Sequence, residues 1–244
     1  MLVATLLLVG SISSTASAHD ASNTSIYGIT TSWDYFAPSG SNDDASNGLR
    51  IHLSSPRHTD SGSRGERTNP GRQENEDGRG FNWRAANGNY VNTTYTTTSR
   101  SRNLHARGYL VWVGPNPRDG NLAANRTHAQ NWGAHITIIT HSNAGSPSTP
   151  YNLIMWDSNT DRLTAQQLST TLGPGVPGPE RIGEDQDWAG FELYELDGNA
   201  IFGDAYLELQ FHSVQSSQTW MYNQAHTAAW RVGSAVDIRL GHPS

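Results

Sequence analysis

The stretch Ala134-His135-Ile136-Thr137-Ile138-Ile139-Thr140-His141-Ser142-Asn143-Ala144 decides how the rest of the chain is read. An apolar, β-branched run breaks off into polar residues, the pattern of a buried strand that delivers His141 to its C-terminal edge. In an open α/β sheet that edge is where ligands bind. A histidine at a strand end is also a common hydrogen-bonded structural residue, so the neighbouring segments have to settle its role.

Leu122 to Trp132 has helical spacing and Gly133 closes it, while Tyr109 to Val113 reads as a buried strand preceded by a helix end at Asn103 to Arg107. Leu49 to Leu53 is a short alternating strand. Downstream, Leu153 to Trp156 is a strand, Thr160 to Leu172 a helix stopped by Gly173 and Pro174, and the Gly/Pro-rich stretch to about Gly190 a surface excursion. Ala205 to Phe211 alternates as a further strand, and Ser213 is placed to cap a last helix through Trp220 and Val232. Helices alternating with strands predict an α/β sheet built by crossovers.

The 244 residues suit one domain with a core of its own. Residues 1–18, an apolar run followed by Ala16-Ser17-Ala18, fit a signal peptide cleaved before His19, so the protein is expected to be secreted. The run is short for a bilayer, and no stable membrane insertion is expected after processing. Residues 19–48 form a polar extension with scattered aromatics, and the domain itself is expected over 49–241. Ser54 to Arg84 reads as a long polar loop with six arginines, either functional or a solvated set of mutually paired charges. Three Asn-x-Ser/Thr triplets begin at Asn23, Asn92 and Asn125.

Cysteine is absent, which removes thiol nucleophiles, thiolate metal sites and disulfides together. Lysine is absent too, all sixteen basic residues being arginine, which excludes Schiff-base chemistry. A net charge of −6 speaks against nucleic acid as a partner. Any metal must therefore be held by His, Asp or Glu. His58 follows the first strand, His141 ends a central one, and Glu208 sits in a late strand between apolar neighbours. The acidic tract Glu74-Asn75-Glu76-Asp77 lies between the two histidines. Two histidines and a carboxylate from separate elements make a zinc site with an open position for water. The other histidines read as structural, His52 and His135 in strands, His105, His128 and His226 on helices, and His212 exposed at an edge.

Arg50 to Gly65, Leu104 to Val113, Arg126 through Asn131 to His141-Ser142-Asn143-Ala144, and Tyr206-Leu207-Glu208-Leu209-Gln210-Phe211 resemble, in order, the blocks of zinc-dependent N-acetylmuramoyl-L-alanine amidases of the third amidase class. The resemblance implies a single domain with a twisted, roughly six-stranded mixed sheet flanked by helices. It implies zinc on His58 and His141, with Glu208 as the catalytic carboxylate. The family's helical Glu-x-x-x-Asn pattern is not reproduced, since Gly78 and Gly80 interrupt that segment, and Glu74 is chosen over Glu76 as the acidic ligand. The implied activity is hydrolysis of the amide between N-acetylmuramic acid and L-alanine in peptidoglycan, by a monomer. Two rival readings are a non-catalytic wall- or glycan-binding protein on the same fold, and a zinc hydrolase for another amide.

Overall fold

The computed structural model describes residues 34–38, 43–55, 74–87, 103–114, 122–143, 148–190, 192–198 and 200–242, with the backbone alone at 74–76, 174, 222, 226 and 227. In chain order the elements are β1 (Asp34–Phe36), β2 (Arg50–Ser54), α1 (Glu74–Asn87), β3 (Leu110–Gly114), α2 (Leu122–Trp132), β4 (Ile136–Asn143), β5 (Asn152–Trp156), α3 (Asn159–Leu172), β6 (Glu180–Glu184), α4 (Asp185–Ala189), β7 (Asp204–Phe211), α5 (Gln215–Asn223) and α6 (His226–Leu240). The strands form one mixed sheet in the order β1-β3-β2-β4-β7-β5-β6.

β3, β2, β4 and β7 run parallel, so their C-terminal ends share one edge. The chain leaves β2 through α1 to reach β3 on one side, then returns through α2 to β4 on the other. Such a reversal opens a crevice between the C-terminal ends of β2 and β4. His141 lies two residues before the end of β4, and the segment carrying His58 follows β2 in the chain.

The α/β class is as the sequence predicts, with seven strands rather than about six. The two beyond the five strands located in the sequence are edge strands: β1 comes from the polar extension and pairs antiparallel with β3, and β6 comes from the Gly/Pro-rich stretch and pairs with β5. A three-residue edge strand and a strand reading Glu-Arg-Ile-Gly-Glu carry too little apolar alternation to be seen beforehand.

A larger difference is α1, which forms inside the segment expected to be a loop and runs through Gly78 and Gly80. A Cβ at position 78 would lie 1.9 Å from the carbonyl oxygen of Thr140, so a bare backbone is what lets α1 lie on β4. Glycine in a helix costs about 1 kcal/mol against alanine, and here close packing offsets it. Two arginines of the supposed loop are structural: Arg79 pairs with Asp34 at 2.7 Å, and Arg84 donates to the carbonyl of Met221 at 3.0 Å. The last helix is also two, since α5 starts after Val214 without a side-chain cap and the chain turns at Gln224 before α6.

The larger core lies between one sheet face and α1, α3, α5 and α6, where Ile51, Leu53, Ile138, Leu207 and Leu209 meet Phe81, Leu168, Met221 and Val232. The smaller cluster lies on the other face, where Ile139, Leu153, Met155 and Tyr206 are covered by Leu196. No helix among the described residues is long and apolar enough to cross a membrane.

Candidate active site

His141 and Glu208 are paired in register across β4 and β7, so their side chains leave the same sheet face side by side. His141 is fully buried rather than exposed at the edge. Its ring stacks on Tyr206, with centroids 4.7 Å apart and planes 16° apart, and its Nε2 lies 3.0 Å from Glu195 Oε1. A carboxylate only accepts, so Nε2 carries the proton and the ring is held in one tautomer. Nothing in the sequence around Glu195, one of 22 acidic residues, singles it out.

Glu195 is itself held in place by α2. It lies in the short 3-10 turn Tyr194–Leu196. Arg126 of α2 sits 3.5 Å over the Tyr194 ring and pairs with Asp197 at 2.9 Å, while Gln130 donates to the Asp197 carbonyl at 3.1 Å. A run of contacts thus leads from α2 through the turn to the imidazole of His141.

Glu208 is half-buried and is followed by an irregularity in β7. Two steps along β4, from His141 to Asn143, match three along β7, from Glu208 to Phe211, which is a β-bulge. Within it Gln210 has φ 53°, the left-handed region that non-glycine residues seldom enter. Three hydrogen bonds, two of them fully buried, offset that strain. Gln210 Nε2 donates to Pro177 O at 2.6 Å and Asn152 Oδ1 at 3.2 Å, and its Oε1 accepts from Ser217 at 3.0 Å. The bulge ends the plain alternation of β7, so Gln210 does not share the Glu208 face as the sequence pattern suggests.

On the opposite face a second polar cluster ties α1 to the same edge. Thr140 donates to Asn82 Oδ1 at 2.7 Å, and Asn82 Nδ2 donates to the Ser54 carbonyl at 2.9 Å. Ser142 Oγ donates to Asp77 at 3.3 Å, and His212 Nδ1 lies 3.0 Å from both the hydroxyl and the carbonyl oxygen of Ser142. His212, expected to be exposed, is fully buried. Glu74 is the first residue of the helix these bonds dock, with only its backbone described. His58 lies outside the described residues, as do Asn23 and Asn92. Asn125 is 2% exposed, which no glycan could reach.

The donors bear on whether zinc could be held here. His141 fits: a ligating imidazole commonly gives its second N–H to a carboxylate, as His141 does to Glu195. Among the described residues no group of three or more His, Asp or Glu side chains could hold a metal ion. The remaining ligands of the expected set belong to His58 and the carboxylate of Glu74.

No family model matches the sequence, and no curated protein matches it. Solved structures do. The catalytic domain of CwlV, an N-acetylmuramoyl-L-alanine amidase from Bacillus (Paenibacillus) polymyxa var. colistinus, superposes with a TM-score of 0.59 at 8% identity, over 80% of this chain and 99% of that one. Ami1, an N-acetylmuramyl-L-alanine amidase from Mycobacterium smegmatis, gives 0.60 at 13% identity, over 82% and 100%. An N-acetylmuramoyl-L-alanine amidase from Clostridium difficile 630 gives 0.57 at 14% identity, over 82% and 100%. The fold implied by the sequence blocks is therefore the fold found.

Proposed function

We propose that the protein is a secreted peptidoglycan amidase that hydrolyses the bond between N-acetylmuramic acid and L-alanine, with zinc held by His58, Glu74 and His141 and with Glu208 as general base. The observation that supports this most is the in-register pair His141–Glu208 beside the crevice between β2 and β4, in a fold shared with amidases of that activity. When bound, zinc would supply Lewis acidity toward the amide carbonyl and toward a water molecule. Glu208 takes the proton of the attacking water on a carboxylate oxygen and returns it to the departing alanine nitrogen. Glu195 keeps the Nε2 proton of His141 and, with Tyr206, fixes the plane of the ring. The stretch ending Ala16-Ser17-Ala18 supports export to the compartment where this substrate lies.

The test is metal analysis of the purified protein together with digestion of purified peptidoglycan. About one zinc per chain and release of stem peptides with a free N-terminal alanine are expected. A zinc-loaded protein that leaves this amide intact would overturn the proposal. In that case cleavage of simple peptides would mark another hydrolase, and binding to the wall without turnover a glycan-binding protein.

A further inference from the structure

Most of the described arginines are committed within the fold. Arg79, Arg107 and Arg126 pair with carboxylates, and Arg84, Arg231 and Arg239 donate to backbone carbonyls. Arg181 of β6 does neither. Its guanidinium lies 3.8 Å from the ring centroid of Tyr151 and 5.5 Å from that of Trp188, and among the described residues no carboxylate or carbonyl accepts from it. A guanidinium over an aromatic ring is held in place without using its N–H groups. The side chain is exposed, so those donors stand ready for a ligand.

The sheet register ties this cation to the candidate site. Arg181 pairs with Leu153, and Leu153 with Glu208, so Arg181 and Glu208 leave the same face with one strand between them. Two strand spacings put their backbones about 10 Å apart. Because β5 runs antiparallel to β7, Tyr151, just before β5, lies at the edge where β7 ends, and it meets Phe211, the last residue of β7, edge-on at 4.9 Å. By lying over Tyr151, the guanidinium of Arg181 is turned toward the edge at which the crevice opens.

We propose that Arg181 binds a carboxylate on the second residue of the substrate's peptide; this rests on the reading of the protein as a peptidoglycan amidase and adds to it that the peptide runs from Glu208 across β5 toward β6. With the scissile nitrogen beside Glu208, two residues of extended chain cover about 7 Å, and a side-chain or terminal carboxylate on the second covers the rest. The planar fork of a guanidinium takes a carboxylate through two parallel N–H···O bonds. A neutral group would gain the hydrogen bonds without the charge. A run of anions would meet a net charge of −6, so a single carboxylate is the ligand that suits one cation in this chain.

The probes are N-acetylmuramoyl-alanyl-glutamate and its two monoamides, one blocked at the side chain and one at the C-terminus, with the corresponding alanyl-glutamate dipeptides as ligands that carry no muramoyl amide. In the zinc-loaded full chain, blocking one of the two carboxylates should raise KM about tenfold with little change in kcat, and the monoamide that does so identifies the carboxylate bound. Arg181→Ala should raise KM for the diacid about tenfold and leave it unchanged for that monoamide, with Arg181→Lys between wild type and Arg181→Ala. Arg162→Ala, which removes an exposed cation on α3, should keep the wild-type discrimination. An arginine that only packs β6 against β5 would affect diacid and monoamides alike; that result, or equal KM for all three substrates in the wild-type chain, overturns the assignment. The wild-type comparison decides the matter even where the variants do not fold. Binding of the dipeptides, followed at the Arg181 Nε–H resonance, needs no turnover. A resonance shifted by the diacid and not by one monoamide, in a chain that cleaves no muramoyl amide, keeps the carboxylate site and removes the hydrolytic reading; turnover without discrimination removes the site alone.

Discussion

On one face of the sheet Ile51, Leu53, Ile136, Ile138, Leu207 and Leu209 disappear among aliphatic side chains of α1, α3 and α6; on the other, His52, Ser54, Thr137, His141 and Glu208 occupy the matching rows. Both faces are largely buried, so exposure does not separate them. Their chemistry does. Burying a polar group costs free energy unless it is partnered, and the aliphatic face confines its polar groups, Thr140 and Ser142, to the end of β4, where they bond Asn82 and Asp77 of α1. The aliphatic face holds the fold together, and the polar face, covered by α2 and the Tyr194–Leu196 turn, holds the candidate chemistry.

This contrast can be broken most sharply at Glu208. Replacing it by Gln should lower amidase turnover roughly a hundredfold or more while zinc content and melting temperature stay as in the wild type. Undiminished turnover in a zinc-replete Glu208→Gln protein would leave the polar face without its general base. The neighbour that points the other way, Leu207, should behave oppositely. Leu207→Ala should destabilise the fold by about 2–5 kcal/mol in urea unfolding, and the protein that remains folded should keep its turnover. A catalytic defect larger than the stability defect would show that the two faces do not divide the work.

A smaller effect is expected at Glu195. Glu195→Gln keeps the shape of the side chain but weakens the acceptor for His141 Nε2, so zinc affinity measured by chelator competition should fall by about 10–100-fold. Unchanged affinity would make the contact structural only. An effect seen only toward acid pH concerns His52 on the same face, whose Nε2 lies 3.0 Å from His128 Nδ1. Burial, with His128 beside it, pushes the His52 pKa down from 6.5 to about 3, and burial lowers that of His128 as well. Between those values the unfolded chain binds a proton that the folded chain refuses. Stability is therefore full above the ordinary histidine pKa and falls as pH drops through the window, by up to about 1.4 kcal/mol per pH unit for one such group. His52→Leu should flatten the acid side of the unfolding profile, and a wild-type slope in that variant would assign the acid sensitivity elsewhere.

The glycines of α1 mark the limit of reading by local pattern. Gly78 and Gly80 look like helix breakers in sequence, yet Gly78 sits in the helix because a side chain there would strike Thr140 O. Gln210 is a similar case. In sequence it continues an alternating strand, but in the fold it adopts a left-handed backbone at a bulge, held by Asn152 and Pro177 from distant segments and by Ser217 at the start of α5. In both, a contact remote in sequence overrides the local preference.

The α/β class, the strand that carries His141 near its end, the helix Leu122–Trp132 to its last residue, and the late strand bearing Glu208 are legible in the sequence, because each is written in the period of apolar residues along a short stretch of chain. Only the tertiary structure decided that β7 lies beside β4 with His141 opposite Glu208, that Glu195 rather than a solvent edge receives the imidazole, and that α1 docks over Thr140. Those outcomes depend on register and on pairs 54 to 67 residues apart, such as His141 with Glu195 and with Glu208. Periodicity records which side of an element is buried; it does not record against what.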